Sequence, residues 1–398
     1  MTLIMGENNL QRACPVCQNV VGAELLHTQK FVLPDNHPLP GMYDIVVCGK
    51  CGFVYADTPA MQDDYDKYYM EMSKYDMNYT DTDSLLYIDR AAWINTFIRN
   101  QADSIIDIGC GNGQLLLQLQ KHGLSDLTGL DPSEKCVSDL KEKGINGITS
   151  SIFSISTNRK YDCAILSGVL EHIYDVGKIM ETMKQLLKHR GLLFVCVPDA
   201  SRYQDYDSFP FDYFSIEHIN HFDETSLLNL GLHHGFSMID FLKTTITIFQ
   251  TTQPVIFCVY ENKRKPAANW QSHSRNCVVE YVEHTKKNAG INHVINQMIE
   301  TKEEIIVWGA GNYTSRLLAT SGLNKCNIVM IVDNDKHKQG SIFSGITVYP
   351  PNAIREMRKR STILIGATVF CDEIVAEIRR MGLDNNFIVL GNVNGSFS

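Results

Sequence analysis

Four cysteines stand as two C-x-x-C pairs, Cys14-Pro-Val-Cys17 and Cys48-Gly-Lys-Cys51. Such a turn lets two thiolates converge on one ion, and two turns complete a tetrahedral zinc shell. Because protein sulfur fills all four positions, no place is left for an activated water, so the expected ion is structural. A redox C-x-x-C is the weaker alternative, since neither pair opens a helix after a βαβ strand. Further on, Ile106-Asp107-Ile108-Gly109-Cys110-Gly111-Asn112-Gly113 sets three glycines after an apolar strand. The glycines allow a tight turn with no side chain in the way, so a ligand can lie against backbone N–H groups at a helix start. Asp131 follows about twenty residues on, where a carboxylate at a strand end can take ribose hydroxyls. It could instead merely cap the next helix, because Asp before Pro132-Ser133-Glu134 is a good N-terminal signal. A third stretch, Phe211 to Phe222 (FDYFSIEHINHF), crowds aromatics around Glu217-His218. A histidine among aromatics beside an acid can serve as a general base; the alternative is a hydrogen-bonded structural histidine.

These residues need elements to hold them. From Ser104 the pattern runs strand, glycine turn, helix, strand (SIIDIG, CGNG, QLLLQLQKHG, LTGLD), with further strands at YDCAILSG and GLLFVCVP and the helical VGKIMETMKQLLKH between them. Strands alternating with helices require a parallel, doubly wound α/β sheet. In front lies a turn-rich zinc-ribbon-like segment, then a tyrosine-rich connector from Tyr65 to Tyr87, helical from about Ser84 to Arg99. Behind, EEIIVWGAGNYTSR, NIVMIVDND and STILIGAT repeat the strand, turn and helix pattern. Gly309, Gly311 and Asn312 there suit a phosphate-cradling turn, with Asp333 ending the next strand. A nicotinamide site competes for that turn, weakened by Thr314 in place of the last glycine of G-x-G-x-x-G. Three domains are expected: a zinc-binding domain with connector over 1–80, an α/β domain over 81–245, and a second Rossmann-like domain over 246–398.

DIGCGNG with GLDPS resembles the S-adenosylmethionine site of class I methyltransferases. The resemblance implies that Asp107 holds the methionine end, that Gly109, Cys110, Gly111, Asn112 and Gly113 line the cofactor, and that Asp131 and Pro132 meet the ribose. Ser151 and Ile152 would pack on adenine, although that loop lacks the acid often found there, and Ser167 with Glu171-His172 matches the following strand and helix start. With cysteine pairs in front and a Rossmann-like domain behind, the whole chain resembles the three-domain sugar C-methyltransferases, which act on nucleotide-linked deoxysugars. By that similarity His218 removes a proton α to a 4-keto group and Glu217 positions the sugar. These enzymes commonly carry a tyrosine two residues before the glutamate, where this chain has Ser215. Tyr213, Tyr68 or His221 is then the candidate to hold the enolate oxygen, and O- or N-methylation is the rival reaction. A non-catalytic protein that binds the cofactor or a sugar nucleotide is the alternative of a different class.

Composition sets the outer limits. The chain has 398 residues, 44% hydrophobic and 20% charged, which suits a folded protein of two or three domains. A net charge of −9 offers no positive field for a nucleic acid. No apolar run approaches the roughly 20 residues of a membrane span, and no secretory signal is apparent, so a cytoplasmic monomer or homodimer with a small-molecule substrate is expected. Twelve cysteines then read as reduced thiols plus one metal site.

Overall fold

The structure, a computed structural model, describes residues 10–72, 81–155, 157–206, 210–248, 251–263, 271–287, 290–357, 360–368 and 370–390. The rest of the tyrosine-rich connector, 73–80, lies outside them. Contacts divide the chain into two compact units: residues 1–27, 44–207 and 217–281 form one, and residues 28–43, 208–216 and 282–398 the other.

The chain begins with three short strands, β1 (Glu24–Lys30), β2 (Met42–Val47) and β3 (Val54–Asp57), then α1 (Gln62–Met72) and α2 (Asp81–Asn95). The α/β succession follows as β4 (Ile105–Ile108), α3 (Gln114–Lys121), β5 (Leu127–Asp131), α4 (Glu134–Glu142), β6 (Asn146–Thr149), β7 (Tyr161–Ser167), α5 (Val176–Leu186) and β8 (Leu187–Pro198). The two-residue β9 (Asn220–His221), α6 (Glu224–His233) and the long strands β10 (Ser237–Ile248) and β11 (Thr251–Glu261) complete the first unit's sheets, before α7 (Ser274–Lys287). β4 is buried throughout, as a central parallel strand covered on both faces must be.

The main sheet has the order β10-β11-β8-β7-β4-β5-β6. β4 to β8 are parallel, whereas β11 runs antiparallel to both β8 and β10. The doubly wound α/β expectation therefore holds, with one addition: the sheet continues past the expected boundary at 245 to Glu261. A hairpin needs only a short turn, so it can extend a parallel sheet where another βαβ unit would need a full crossover helix. Strand order reverses between β4 and β7, and at such a switch point the carboxyl ends of the strands open a crevice for ligands.

The cysteine-bearing segment shares the core of this unit. Cys14, Val16, Cys48, Cys51, Phe53 and Tyr55 lie in one buried cluster with Ile106, Leu166 and Val195. β3 carries β9 along its edge, Val54 opposite His221, in the four-stranded order β1-β2-β3-β9.

The second unit is a further α/β layer, comprising α8 (Gly290–Thr301), β12 (Glu304–Trp308), α9 (Asn312–Thr320), β13 (Asn327–Val332), β14 (Ile342–Phe343), β15 (Ile346–Tyr349), β16 (Thr362–Ile365), α10 (Cys371–Arg380) and β17 (Phe387–Val389). Its sheet order is β14-β15-β13-β12-β16-β17, parallel except for the β14–β15 hairpin.

Candidate active site and metal centre

Each cysteine pair is shaped by a left-handed residue after its second cysteine, Gln18 (φ 58°) and Gly52 (φ 74°). A Cβ at Gly52 would stand 2.6 Å from the Ser272 carbonyl oxygen, so only glycine fits there. The four sulfurs lie within 4.8 Å of one another, with Cys14 to Cys51 and Cys17 to Cys48 both at 3.6 Å. Tetrahedral zinc with bonds of about 2.3 Å spaces its sulfurs about 3.8 Å apart, so the set could hold zinc and leave no open position.

The glycine turn after β4 uses left-handed backbone at Gly109 (φ 69°), Gly111 (φ 51°) and Gly113 (φ 76°). Their reasons differ. A Cβ on Gly113 would meet Leu140 Cδ1 at 2.1 Å, so that glycine lets α3 and α4 pack closely, whereas Gly111 faces nothing within 4 Å and leaves an open cradle. Asp131 braces the turn: its Oδ2 accepts from Gly111 N at 2.9 Å and its Oδ1 from Ser133 N at 2.9 Å. The N-cap of α4 is Ser133, which accepts from Cys136 N. Asp131 is therefore not the cap, and its buried carboxylate stays at the strand end beside the cradle. Asp107 is 3% exposed; burial, aided by the Asp131 charge and opposed by Arg90, pushes its carboxyl up to about 8.

Ser151 starts a short turn by accepting from Phe153 N, and Ile152 is buried beneath it. An acid from another element stands near that loop: Asp66 on α1 accepts from Gln62 Nε2 at 2.8 Å and lies close to Ser151, and burial raises its carboxyl above the usual range. Pro132 is exposed, and Cys110 and Asn112 sit in the turn itself.

At the end of β7, Ser167 Oγ accepts from Arg90 Nη1 at 2.9 Å. The Glu171-His172 turn that follows is held on two sides by Asn220 Nδ2, which donates to the carbonyls of Leu170 and Ile173 at 2.7 Å each. Arg12, buried, donates to the carbonyls of Ile173, Tyr174 and Ile219, tying the cysteine-bearing segment to both site loops. His172 Nδ1 lies 3.1 Å from the Glu217 carbonyl oxygen, which places a proton on Nδ1. Its ring meets His218 with centroids 4.7 Å apart, and the Tyr68 hydroxyl donates to Glu217 Oε1 at 2.6 Å. Glu171, His172 and His218 have ligand-type atoms within 4.8 Å of one another, and Glu171 is held above its usual carboxylate range by burial. Tyr68, Glu217, His218 and His172 thus stand together as one cluster of titratable side chains.

His221 is placed elsewhere. It is fully buried, with the Tyr203 hydroxyl 3.3 Å from Nδ1, and burial together with the Arg12 charge pushes its imidazole down to about 3. Such a ring is a poor proton acceptor, and its burial sets it apart from the Glu217-His218 pair. Tyr213 and Ser215 belong to the second unit, where Tyr43 donates its hydroxyl to the Ser215 carbonyl. Asp333, expected to be a ribose acid, accepts from Ala310 N at 2.7 Å and from Lys338 Nζ at 3.1 Å, bonds internal to the fold.

Sequence reasoning missed Arg90 and Asp66, because neither lies in a motif of fixed spacing. The only signal was an arginine in the helix just before the first core strand, and an acid inside the tyrosine tract.

Residues 86–240 match the model of a family described as a methyltransferase domain. The chain carries a class I methyltransferase domain. This methyltransferase domain spans β4 to β9, the glycine turn and both histidines of the cluster, and its fold supports binding of S-adenosylmethionine. Residues 301–389, within the second unit, match a family described as C2185-like, N-terminal. The ubiquinone biosynthesis O-methyltransferase of Bradyrhizobium diazoefficiens is 30% identical over 97 residues, 23% of this chain and 38% of that protein. That of Paraburkholderia phymatum is 30% identical over 113 residues, 26% and 48% respectively, so the chain spans less than half the length of these relatives. Among solved structures, a Burkholderia thailandensis 1,6-didemethyltoxoflavin-N1-methyltransferase gives a TM-score of 0.41 at 15% identity over 55% of this chain and 98% of that one. A Methanosarcina mazei SAM-dependent methyltransferase gives 0.36 at 19% identity over 44% and 98%. No helix among the described residues is long and apolar enough to cross a membrane.

Proposed function

We propose that this protein transfers the methyl group of S-adenosylmethionine to carbon of a nucleotide-linked 4-ketosugar, with His218 as the general base and a structural zinc ion on Cys14, Cys17, Cys48 and Cys51. The observation that carries the reading is the cluster of Tyr68, Glu217, His172 and His218 in the unit that bears the cofactor turn. Carbon must be made nucleophilic before it can take a methyl group, which requires a base at a C–H bond next to a carbonyl and a donor for the enolate oxygen. His218 has the first role. Tyr68 would supply the second, turning its one hydroxyl proton from Glu217 Oε1 to the enolate oxygen, in place of the tyrosine commonly found where this chain has Ser215.

For the cofactor, Gly111's open face, the Asp131 carboxylate and the orphaned donor of buried Arg90 fit a zwitterionic nucleoside; when bound it supplies an electrophilic methyl. Asp107 would take the α-ammonium, Asp131 the ribose, and Ser151, Ile152 and Asp66 would surround the adenine. The second unit, whose glycine turn and Asp333 are satisfied within its own fold, is assigned to binding the nucleotide-sugar or to framing it.

Methyl transfer to oxygen is the second reading, favoured by the curated relatives' names and by Ser215. Methylation of a 4-ketosugar panel with labelled donor in D₂O separates the two. A new carbon–carbon bond with deuterium at the neighbouring carbon is expected; methyl on oxygen or nitrogen without exchange would overturn carbon transfer, and bound donor with no turnover on any acceptor would favour a non-catalytic binding protein.

A further inference from the structure

Resting on the reading of His218 as the base, we propose that Glu171 is a positioning residue for it: the buried carboxylate holds the imidazolium that forms when His218 takes the substrate's α-proton. Glu171 follows β7 in a turn that Asn220 pins on both sides, and it is 4% exposed. Its Oε1 would lie 3.8 Å from a Cβ on the left-handed Gly168, so the carboxyl is folded back against the strand end. Among the described residues its Oε2 is buried without a hydrogen-bond partner. The ligand-type atoms of Glu171, His172 and His218 all lie within 4.8 Å of one another. A buried acceptor left unmet is costly, and an opposite charge within about 4–6 Å favours the ionised form of its neighbour.

Burial opposes ionisation of Glu171, while His172, its own backbone N–H and Arg90 favour it. A positive charge arriving on His218 adds to the favourable side. In the step itself the C–H electron pair becomes the enolate π bond, the carbonyl π pair moves to oxygen, and the proton passes to a ring nitrogen of His218. Glu171 meets the new charge without reorganising, because its turn is already fixed, so it stabilises the transition state more than the ground state. Of the other groups around the pair, His172 faces the Glu217 carbonyl with the Tyr69 ring against its edge, and Cys196 of β8 and Arg90 of α2 stand on the Glu171 side. Glu217 Oε1 already accepts from Tyr68, whereas Glu171 Oε2 gains its counter-charge only when the imidazolium appears.

The test follows exchange of the α-proton of a nucleotide-linked 4-ketosugar by the full-length protein with S-adenosylhomocysteine, from about pD 5 to about pD 9, where the free imidazole emerges. Glu171→Gln is expected to move the rise in rate about one unit toward acid and to lower the plateau about 10-fold, with S-adenosylhomocysteine affinity within about 3-fold, and Glu171→Asp to recover part of the shift. A rise at the same pD in the wild type and in Glu171→Gln overturns the proposal, whatever the plateau does. Should Glu171→Gln fail to fold, NMR of the wild type answers alone: the His218 ring and the Glu171 carboxyl carbon are expected to share both titration steps, as a coupled pair does, and a single independent step at each overturns the assignment. A wild type that exchanges no α-proton, or whose exchange persists unchanged in His218→Gln, defeats the base reading itself, an outcome distinct from an unmoved rise in Glu171→Gln.

Discussion

At the scale of single residues, burial decides which groups can move protons. His218 and His172 face each other across 4.7 Å while His221, three residues along, is sealed in the core, so two histidines in one short stretch have different chemistry. On the proposed reading, His218→Gln lowers kcat by about 10²-fold or more with S-adenosylhomocysteine affinity unchanged, and Tyr68→Phe gives a smaller loss, both read by steady-state kinetics beside calorimetry. Asp107 makes a pH prediction. Its folded value of about 8 lies above the ordinary carboxyl value of about 4, so between these the native state binds the extra proton and stability falls as pH rises. Asp107→Asn should raise the apo melting temperature at pH 8 more than at pH 5, and weaken S-adenosylhomocysteine; an equal effect at both pH values would contradict the assigned titration. The glycines, Asp131 and the Glu217-His218 pair were legible because their chemistry lies in contiguous motifs. Arg90 and Asp66 were not, since only the folded chain carries them to Ser167 and Ser151.

At the scale of elements, the turn from β4 to α3 divides its work between neighbouring glycines. Gly113→Ala forces a Cβ into Leu140 at a left-handed position and is expected to cost about 1–3 kcal/mol of stability, measured by denaturant unfolding. Gly111→Ala meets open space, so it should cost about 1 kcal/mol in backbone strain and show its main effect as lost S-adenosylhomocysteine binding. The reverse order of stability effects would mean that the cradle is assigned to the wrong glycine. The alternation of strand and helix made the parallel part of the sheet readable, because a 2-residue and a 3.6-residue period differ plainly. The β10–β11 hairpin was not readable as part of that sheet, for strand pairing is set by tertiary contact and not by the strand's own pattern.

At the scale of the molecule, Cys14, Cys48 and Cys51 join the same buried cluster as the β4 and β7 strands, with Cys17 packed against it, and Arg12 grips the loops that carry His172 and His218. Their spacing made the four-cysteine set legible, whereas this sharing of one core was not, because nothing local to a C-x-x-C turn says what packs on its far side. Metal removal should therefore lower the melting temperature of the first unit as a whole and reduce activity only through that loss. Chelation at pH 7 followed by calorimetry checks this, and an unchanged unfolding profile after complete zinc release would contradict it. The central claim is carbon methylation initiated by His218. Its most direct measurement is exchange of the α-proton of a nucleotide-linked 4-ketosugar in D₂O with S-adenosylhomocysteine in place of the methyl donor, followed by NMR. The account predicts exchange with the wild type and its loss in His218→Gln; exchange that persists unchanged in the variant, or is absent in a wild type that methylates the same sugar, would contradict it.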